Sequence, residues 1–284
     1  VNRRTVKDRI AAAAGILFDL DGTLALGDKG SAGYRALPGA LELLEILRRA
    51  GRPYTIFTNG THHTPLAYVQ MLRRGGFAID EAAMLTPAVV AAEVFARKGF
   101  KRVLVLGVAG VSQPLIDAGL EVVRPGDDDA KVDATFVGWH PELAFGDIEA
   151  ACRVAWAGAP LYTASSAPYF ATHDGKAVGI SGAICAAIRS VTGQRINVVG
   201  KPSLLALRVA ARRLGVATKD MVVVGDDPLL EIAMARAGGA CAVGVTTGLA
   251  NAAAFARLDP ERSAHLVVDG VASLVSCFER PVEA

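Results

Sequence analysis

Short apolar runs alternate with longer segments in which apolar residues recur every three or four positions, from one end of the chain to the other. Unbroken apolar runs of a few residues predict strands, and the 3.6-residue period predicts helices. The strand segments are 16–18, 54–58, 103–106, 134–137, 161–163, 196–199, 221–224, 240–245 and 265–268. The helical segments are 38–50, 65–74, 87–98, 147–157, 181–192, 202–214 and 228–237, several of them opening on a proline, whose fixed φ suits a first helical turn. The strands carry no polar alternate face, so both faces of their sheet must be covered. Strand–helix alternation then means a parallel sheet of the doubly wound, Rossmann-like α/β class.

Nine strand segments are many for one such sheet, and the texture of the chain changes near Met84. An acidic turn at 125–129 and a loop-like stretch at 165–179, which holds His173 and Asp174, also break the alternation. The expected organisation is a discontinuous core of residues 1–80 and 181–284, with an α/β domain of residues 81–180 inserted into it.

Composition narrows the class of partner. With 284 residues, 52% of them hydrophobic and 20% charged, the chain can bury a large core, which excludes a disordered, fibrous or disulfide-stapled protein. Thirty basic against 28 acidic side chains leave +2, without the basic field of a nucleic-acid binder, so small neutral or anionic partners are expected. Cys152, Cys185, Cys241 and Cys277 lie far apart with no metal spacing and read as buried thiols of a reducing compartment. Arg3, Arg4, Lys7 and Arg9 precede an apolar run at 10–18, but no cleavage site follows and the run is about half the length a membrane span needs. A cytoplasmic protein with no membrane partner is the expectation.

Four segments end apolar strands in residues that a packed core does not ask for, and ligands of open parallel sheets gather at such strand ends. The first, Phe18-Asp19-Leu20-Asp21-Gly22-Thr23, sets two carboxylates two residues apart, a repulsion that a divalent cation reverses; hard oxygen ligands suit Mg²⁺. Asp-Gly is also an ordinary turn pair. The second, Thr58-Asn59-Gly60, offers a hydroxyl and successive amides as a nest for an anion, or is simply a loop. The third, Gly200-Lys201-Pro202, offers an ammonium to neutralise phosphate, where most loop lysines are only solvated. The fourth, Gly225-Asp226-Asp227-Pro228, supplies Asp226 to complete the cation's ligands, with Asp227 suited either to that or to capping a helix. His62 and His63 follow the second segment as residues at a helix start or as substrate contacts.

Together these segments, in this order, resemble the four signatures of the haloacid dehalogenase (HAD) superfamily, and the long interval from Thr58 to Lys201 is similar to that of its nitrophenylphosphatase-like subclass IIA. The resemblance implies a Rossmann-like core with an inserted α/β cap that closes over the site, and a Mg²⁺-dependent phosphatase of small phosphomonoesters. It implies Asp19 as the nucleophile that becomes an aspartyl phosphate, and Asp21 as the acid and base. It implies Mg²⁺ held by Asp19, the main-chain carbonyl of Asp21, and Asp226, with phosphate held by Thr58, Asn59, Gly60 and Lys201. Relatives of this type often pair through their caps, which makes a homodimer the expected assembly. Two departures stand out: Glu231 occupies a position commonly Asp in the family, so either it or Asp227 completes the metal's surroundings, and the cap loop at 163–167 lacks the family's Asn and Asp. Trp139, Trp156, Tyr169 and Phe170 read as cap packing. A dehalogenase, a phosphomutase or a catalytically silent relative on the same fold are the alternatives. A dehalogenase needs no cation, and a mutase usually carries its cap between the first two motifs, where only residues 24–57 lie.

Overall fold

The computed structural model describes residues 3–28, 33–127, 131–172 and 175–278. Asp128 and Asp129 of the acidic turn, and His173 and Asp174, lie outside the described residues. The chain divides into two compact units, one of Val1–Thr58, Leu66–Leu85 and Leu207–Ala284 and the other of Asn59–Pro65 and Thr86–Ala206. Both are built on parallel sheets, as the unbroken apolar strands require.

In the first unit six parallel strands run in the order Leu266–Val268, Cys241–Val245, Met221–Gly225, Gly15–Asp19, Tyr54–Phe57 and Met84–Leu85. Ile16, Phe18, Ile56, Val222, Val224 and Val243 from this sheet join Leu43, Leu47, Tyr68 and Leu72 from helices Ala40–Arg49 and Pro65–Arg74 in one buried core. The first of those helices starts two residues after Pro38. Its N-cap is Gly39, at φ 79°, and a Cβ there would lie 2.4 Å from Ala272 Cα, so the close approach of backbone selects glycine.

The second unit carries five parallel strands in the order Ile196–Val198, Leu161–Thr163, Ala134–Val137, Arg102–Leu106 and Glu121–Val123. Helix Pro87–Lys98 begins with Pro at its first turn, capped by Thr86 Oγ1, which accepts from Val89 N–H at 3.4 Å, and stops at left-handed Gly99. Leu104, Leu106, Val137 and Leu161 meet Ala151, Val154, Ile184 and Ile188 in this unit's core.

The expected domain limits shift. Residues 181–206 were assigned to the core, yet helix Ile180–Thr192 buries Ile184, Cys185 and Ile188 in the second unit, and Ile196–Val198 pairs in register with Leu161–Thr163. The second unit therefore extends to Ala206. The apolar run at 10–18 is two elements, the end of helix Arg3–Ala11 and the start of strand Gly15–Asp19. The segment 228–237 is a π-helical turn, Pro228–Ile232, that passes into the α-helix Ala233–Ala237. Two antiparallel hairpins, Ala25–Asp28 with Gly33–Ala36 and Tyr169–Thr172 with Gly175–Val178, were not foreseen. Trp156 and Tyr169 are exposed rather than packed as expected. The four cysteines are buried free thiols, and burial pushes the Cys185 thiol up to about 12. Among the described residues no helix is long and apolar enough to cross a membrane.

One half-buried histidine couples this fold to pH. His265 accepts a hydrogen bond from Ala242 N–H at Nδ1 (2.9 Å) and faces the Arg236 guanidinium at Nε2. Burial first, and then the charges of Arg236 and Arg9, push its pKa from 6.5 down to about 4. The unfolded chain therefore binds a proton that the folded chain refuses between those values, so stability falls as pH drops from about 6.5 to about 4. Thermal melts across that interval should show the advantage of wild type over His265→Gln shrinking steadily with acidification; a constant gap would show that the residue is not linked to pH.

Candidate active site

Three neighbouring strands of the first sheet supply the site's frame. Gly15–Asp19 is hydrogen-bonded on one side to Met221–Gly225 and on the other to Tyr54–Phe57, all parallel, with Asp19 opposite Phe57. Adjacent strands lie about 4.8 Å apart, so residues at the same strand ends are neighbours. Asp19 ends the middle strand, and Thr58 and Asp226 follow the last residues of its two flanking strands. All three are buried.

Each side chain is held by local groups. Thr23 Oγ1 donates to Asp19 Oδ2 at 3.0 Å. Asp226 Oδ2 accepts from Leu249 N–H at 2.8 Å. Two glycines wall in the same carboxylate: a Cβ on Gly22 would lie 2.6 Å from Asp226 Oδ2, and one on Gly248 would lie 1.9 Å from it. Gly22 also has φ 82°, and its carbonyl accepts from Thr247 Oγ1 at 2.6 Å. The loop after Asp19 and the loop that follows strand Cys241–Val245 thus both close on Asp226.

Asp21 takes a different course. It is exposed where Asp19 is buried, and its Oδ2 accepts from Thr58 Oγ1 at 3.3 Å. The Tyr34 hydroxyl, on the unforeseen hairpin, hydrogen-bonds the same side chain. Burial, followed by the charge of Asp21, holds the Tyr34 phenol well above its ordinary pKa.

Beyond Asp226, Asp227 caps the π-helical turn, its Oδ1 accepting from Leu229 N–H at 2.7 Å. Glu231 is 1% exposed, and its Oε2 accepts from Asp227 N–H at 3.2 Å. A Cβ at Gly225 would lie 2.3 Å from Glu231 Cγ, so the longer acid occupies the space that Gly225 leaves.

Asn59, Gly60 and Lys201 belong to the second unit. There Asn59 and Lys201 clasp one another, Lys201 N–H donating to Asn59 Oδ1 at 2.8 Å and Asn59 Nδ2 donating to Lys201 O at 3.1 Å. Lys201 follows a strand of the second sheet rather than of the first, because Val199 and Gly200 N–H continue that ladder to Thr163 O and Ala164 O. Its side chain is 3% exposed, a burial that an ammonium tolerates only beside compensating polar or anionic groups. His62 stacks at 5.2 Å on Trp139, whose N–H donates to Thr61 Oγ1 at 3.0 Å, so the residues after Gly60 are tied to the end of strand Ala134–Val137. The loop at 163–167 is a self-closed turn in which Ser165 O accepts from Thr163 Oγ1 and Ser181 Oγ.

The donor chemistry of the first unit suits a hard cation. Among the described residues it holds two buried carboxylates at these strand ends, Asp19 at 5% and Asp226 at 4% exposure. Among the described residues no three His, Cys, Asp or Glu side chains gather as a metal-holding group. The Asp21 side chain is turned to Thr58 and Tyr34. Tyr34 was missed in the sequence, where nothing marks a lone tyrosine in a Gly- and Ser-rich stretch.

Comparison with known proteins gives the same grouping. A family model described as haloacid dehalogenase-like hydrolase matches residues 16–121, and a second, described as HAD-hydrolase-like, matches residues 198–274. The sugar-phosphatase AraL of Bacillus subtilis is 29% identical over 244 residues, which is 86% of either chain. The p-nitrophenyl phosphatase from Archaeoglobus fulgidus superposes with a TM-score of 0.82 at 26% identity, covering 93% of this chain and 98% of that one. A glycerol phosphate phosphatase from Mycobacterium tuberculosis in complex with magnesium gives 0.80 at 28% identity, covering 93% and 77%.

The glycine walls of Asp226 are testable through stability alone. Gly248→Ala should cost ~1–3 kcal/mol in urea denaturation, the usual price of overpacking a closed site, since the buried carboxylate has no free space to retreat into. Gly215→Ala is no fair control because of its positive φ, whereas Gly146, open on the Cβ side, should tolerate alanine without loss.

Proposed function

The chain belongs to the haloacid dehalogenase-like hydrolases, and from that premise we propose that it is a Mg²⁺-dependent phosphatase of small phosphomonoesters that works through an aspartyl phosphate. The observation that carries this reading is the side-by-side exit of Asp19, Thr58 and Asp226 from three adjacent parallel strands, with Asp21 held by Thr58 beside them. Relatives named for sugar phosphate, glycerol phosphate and nitrophenyl phosphate share only the small phosphomonoester, which sets the substrate class proposed.

Phosphomonoester hydrolysis is among the slowest uncatalysed reactions, with enzymic accelerations of up to about 10²¹-fold, because an anionic nucleophile must approach a dianion. In the proposed mechanism Asp19 attacks phosphorus, the leaving alkoxide takes a proton from Asp21, and Asp21 then deprotonates the water that hydrolyses the acyl phosphate. Two easier steps replace a hard one. Thr23 Oγ1 holds the Asp19 carboxyl in place, and the exposure of Asp21 leaves it open to solvent, as a group that passes protons to and from water requires. Thr58, with the amides of Asn59 and Gly60, is assigned to the equatorial oxygens, and Lys201 to the neutralisation of their charge. Asp19, the main-chain carbonyl of Asp21, and Asp226 would hold Mg²⁺, with Glu231 bracing the Asp226 loop. The ion supplies charge compensation between nucleophile and phosphate. The four free, buried cysteines support the cytoplasm as its compartment.

Phosphate release from p-nitrophenyl phosphate and a panel of alkyl phosphates should require Mg²⁺ and stop with EDTA. Asp19→Asn should abolish turnover together with any hydroxylamine-sensitive phosphoenzyme; retained turnover would refute the nucleophile. Asp21→Asn should lower kcat/KM by ~10²–10⁴-fold on alkyl phosphates, the usual span for a lost general acid, and far less on nitrophenyl phosphate, whose leaving group needs little protonation. An equal loss on both would remove Asp21 from the role of acid.

A further inference from the structure

A proton-delivering carboxyl must be aimed as well as present. The Asp21 side chain turns about two torsions, and its residue stands two beyond the end of strand Gly15–Asp19, bridged to Ala25 through the backbone. Two hydroxyls reach it from different elements: Thr58, at the exit of the adjacent strand, and Tyr34, on the return strand of the hairpin Ala25–Asp28 with Gly33–Ala36.

That hairpin is built directly on the Asp21 loop. Gly22 N–H donates to Ala25 O at 2.9 Å, Ala25 N–H donates to Leu20 O at 3.0 Å, and Asp21 bridges to Ala25. Tyr34 pairs with Gly27, and beyond it Leu37 N–H donates to Leu24 O at 2.9 Å, so the register of the two strands is set on either side of the tyrosine. Its ring lies 6.5 Å from the ring of buried Tyr68, and its carbonyl lies where a Cβ on Gly75 would come within 2.0 Å. The backbone and ring of Tyr34 are thus seated on helix Pro65–Arg74 and its exit, while the hydroxyl is given to Asp21.

We propose that Tyr34 is a positioning residue for proton transfer: its phenol donates to Asp21 and fixes the carboxyl in the orientation that serves the leaving oxygen once the Thr58 hydroxyl turns to the phosphate. This rests on the phosphatase reading above. A phenol is a neutral donor across the working range of such an enzyme and cannot substitute for the acid itself, so its effect passes through Asp21. Misplacing a catalytic group by about an ångström costs on the order of 10²-fold.

The test compares kcat/KM, which reports steps up to phosphoryl transfer, on an alkyl phosphate and on p-nitrophenyl phosphate. Tyr34→Phe keeps the ring against Tyr68 and should lower kcat/KM about 10- to 100-fold on the alkyl phosphate with no more than about a threefold loss on the nitrophenyl ester. Tyr54→Phe, which removes a hydroxyl from a ring packed edge-on to Phe18, should leave both unchanged. The double variant Tyr34→Phe/Asp21→Asn should lose no more than Asp21→Asn alone, since a group acting through another adds nothing once that other is gone. Equal losses on the two substrates, an undiminished alkyl rate, or additive losses in the double variant would each overturn the positioning role while leaving the phosphatase intact. Absence of Mg²⁺-dependent phosphate release by the wild type would instead remove the reading on which it rests. A melting temperature of Tyr34→Phe close to that of wild type, read in parallel, separates a lost hydrogen bond from a lost fold.

Discussion

The parallel pairing of Gly15–Asp19 with both of its neighbours is the constraint on which the candidate site depends. Parallel strands all end on one side of a sheet, so three polar residues placed after three adjacent strands must meet there. Their meeting is expensive. Two carboxylates, each under 6% exposed, stand on neighbouring loops in a medium that weakens water's screening, and the repulsion between them grows accordingly. Thr23 Oγ1 donates to Asp19 and Leu249 N–H donates to Asp226, each offsetting some of that cost. A divalent cation placed between such carboxylates would reverse their repulsion and so admit an anionic substrate.

The two acids of the first motif show how a small change of backbone separates chemical tasks. In a continued strand, Asp19 and Asp21 would face the same way, because side chains two residues apart share a face. The strand instead ends at Asp19, and the chain turns through left-handed Gly22 into the hairpin. Asp19 stays buried against Thr23, whereas Asp21 emerges to solvent and meets hydroxyls from two other elements. One acid is thereby enclosed at the strand end, and the other is open to solvent. The glycine does this by conformation at one edge and by lack of bulk at the other, where it adjoins Asp226.

Much of this was legible in the chain. The apolar runs marked nine of the eleven described strands of the two sheets, missing the short strands Met84–Leu85 and Glu121–Val123, and polar residues at strand ends singled out Asp19, Thr58 and Asp226 as candidates. What could not be read was which strand pairs with which. The run at 196–199 has the same apolar texture as the strands of the first sheet, and only its pairing with Leu161–Thr163, more than thirty residues earlier, assigns it to the second. Lys201 was therefore recognised as a residue at a strand end but placed on the wrong sheet. The hairpins escaped for a related reason. In the first of them, strands of four residues bearing Gly, Asp and Arg show no alternation, and they are held by contacts with Leu20, Leu24 and Gly75 that the local pattern does not contain. Tyr34 owes its place to that register alone.

Glu231 illustrates how a longer side chain is absorbed without loss of the acid. An added methylene in a closed loop would ordinarily force the carboxylate out or the backbone apart. Here the backbone runs through a wider, π-helical turn at Pro228–Ile232, and Gly225 leaves the volume into which the Glu231 stem fits. Its carboxylate then accepts from Asp227 N–H, the residue directly after Asp226, while the Asp227 side chain is engaged in capping the turn. The acid thus secures the loop that carries Asp226 through the main chain, and Asp227 is not needed as a metal ligand to explain its presence. π-Turns are uncommon and concentrate at functional sites because they tilt a short stretch of backbone that a regular helix would hold fixed. In this chain the tilt and the longer acid answer one another: the turn supplies the room, and the carboxylate closes the turn.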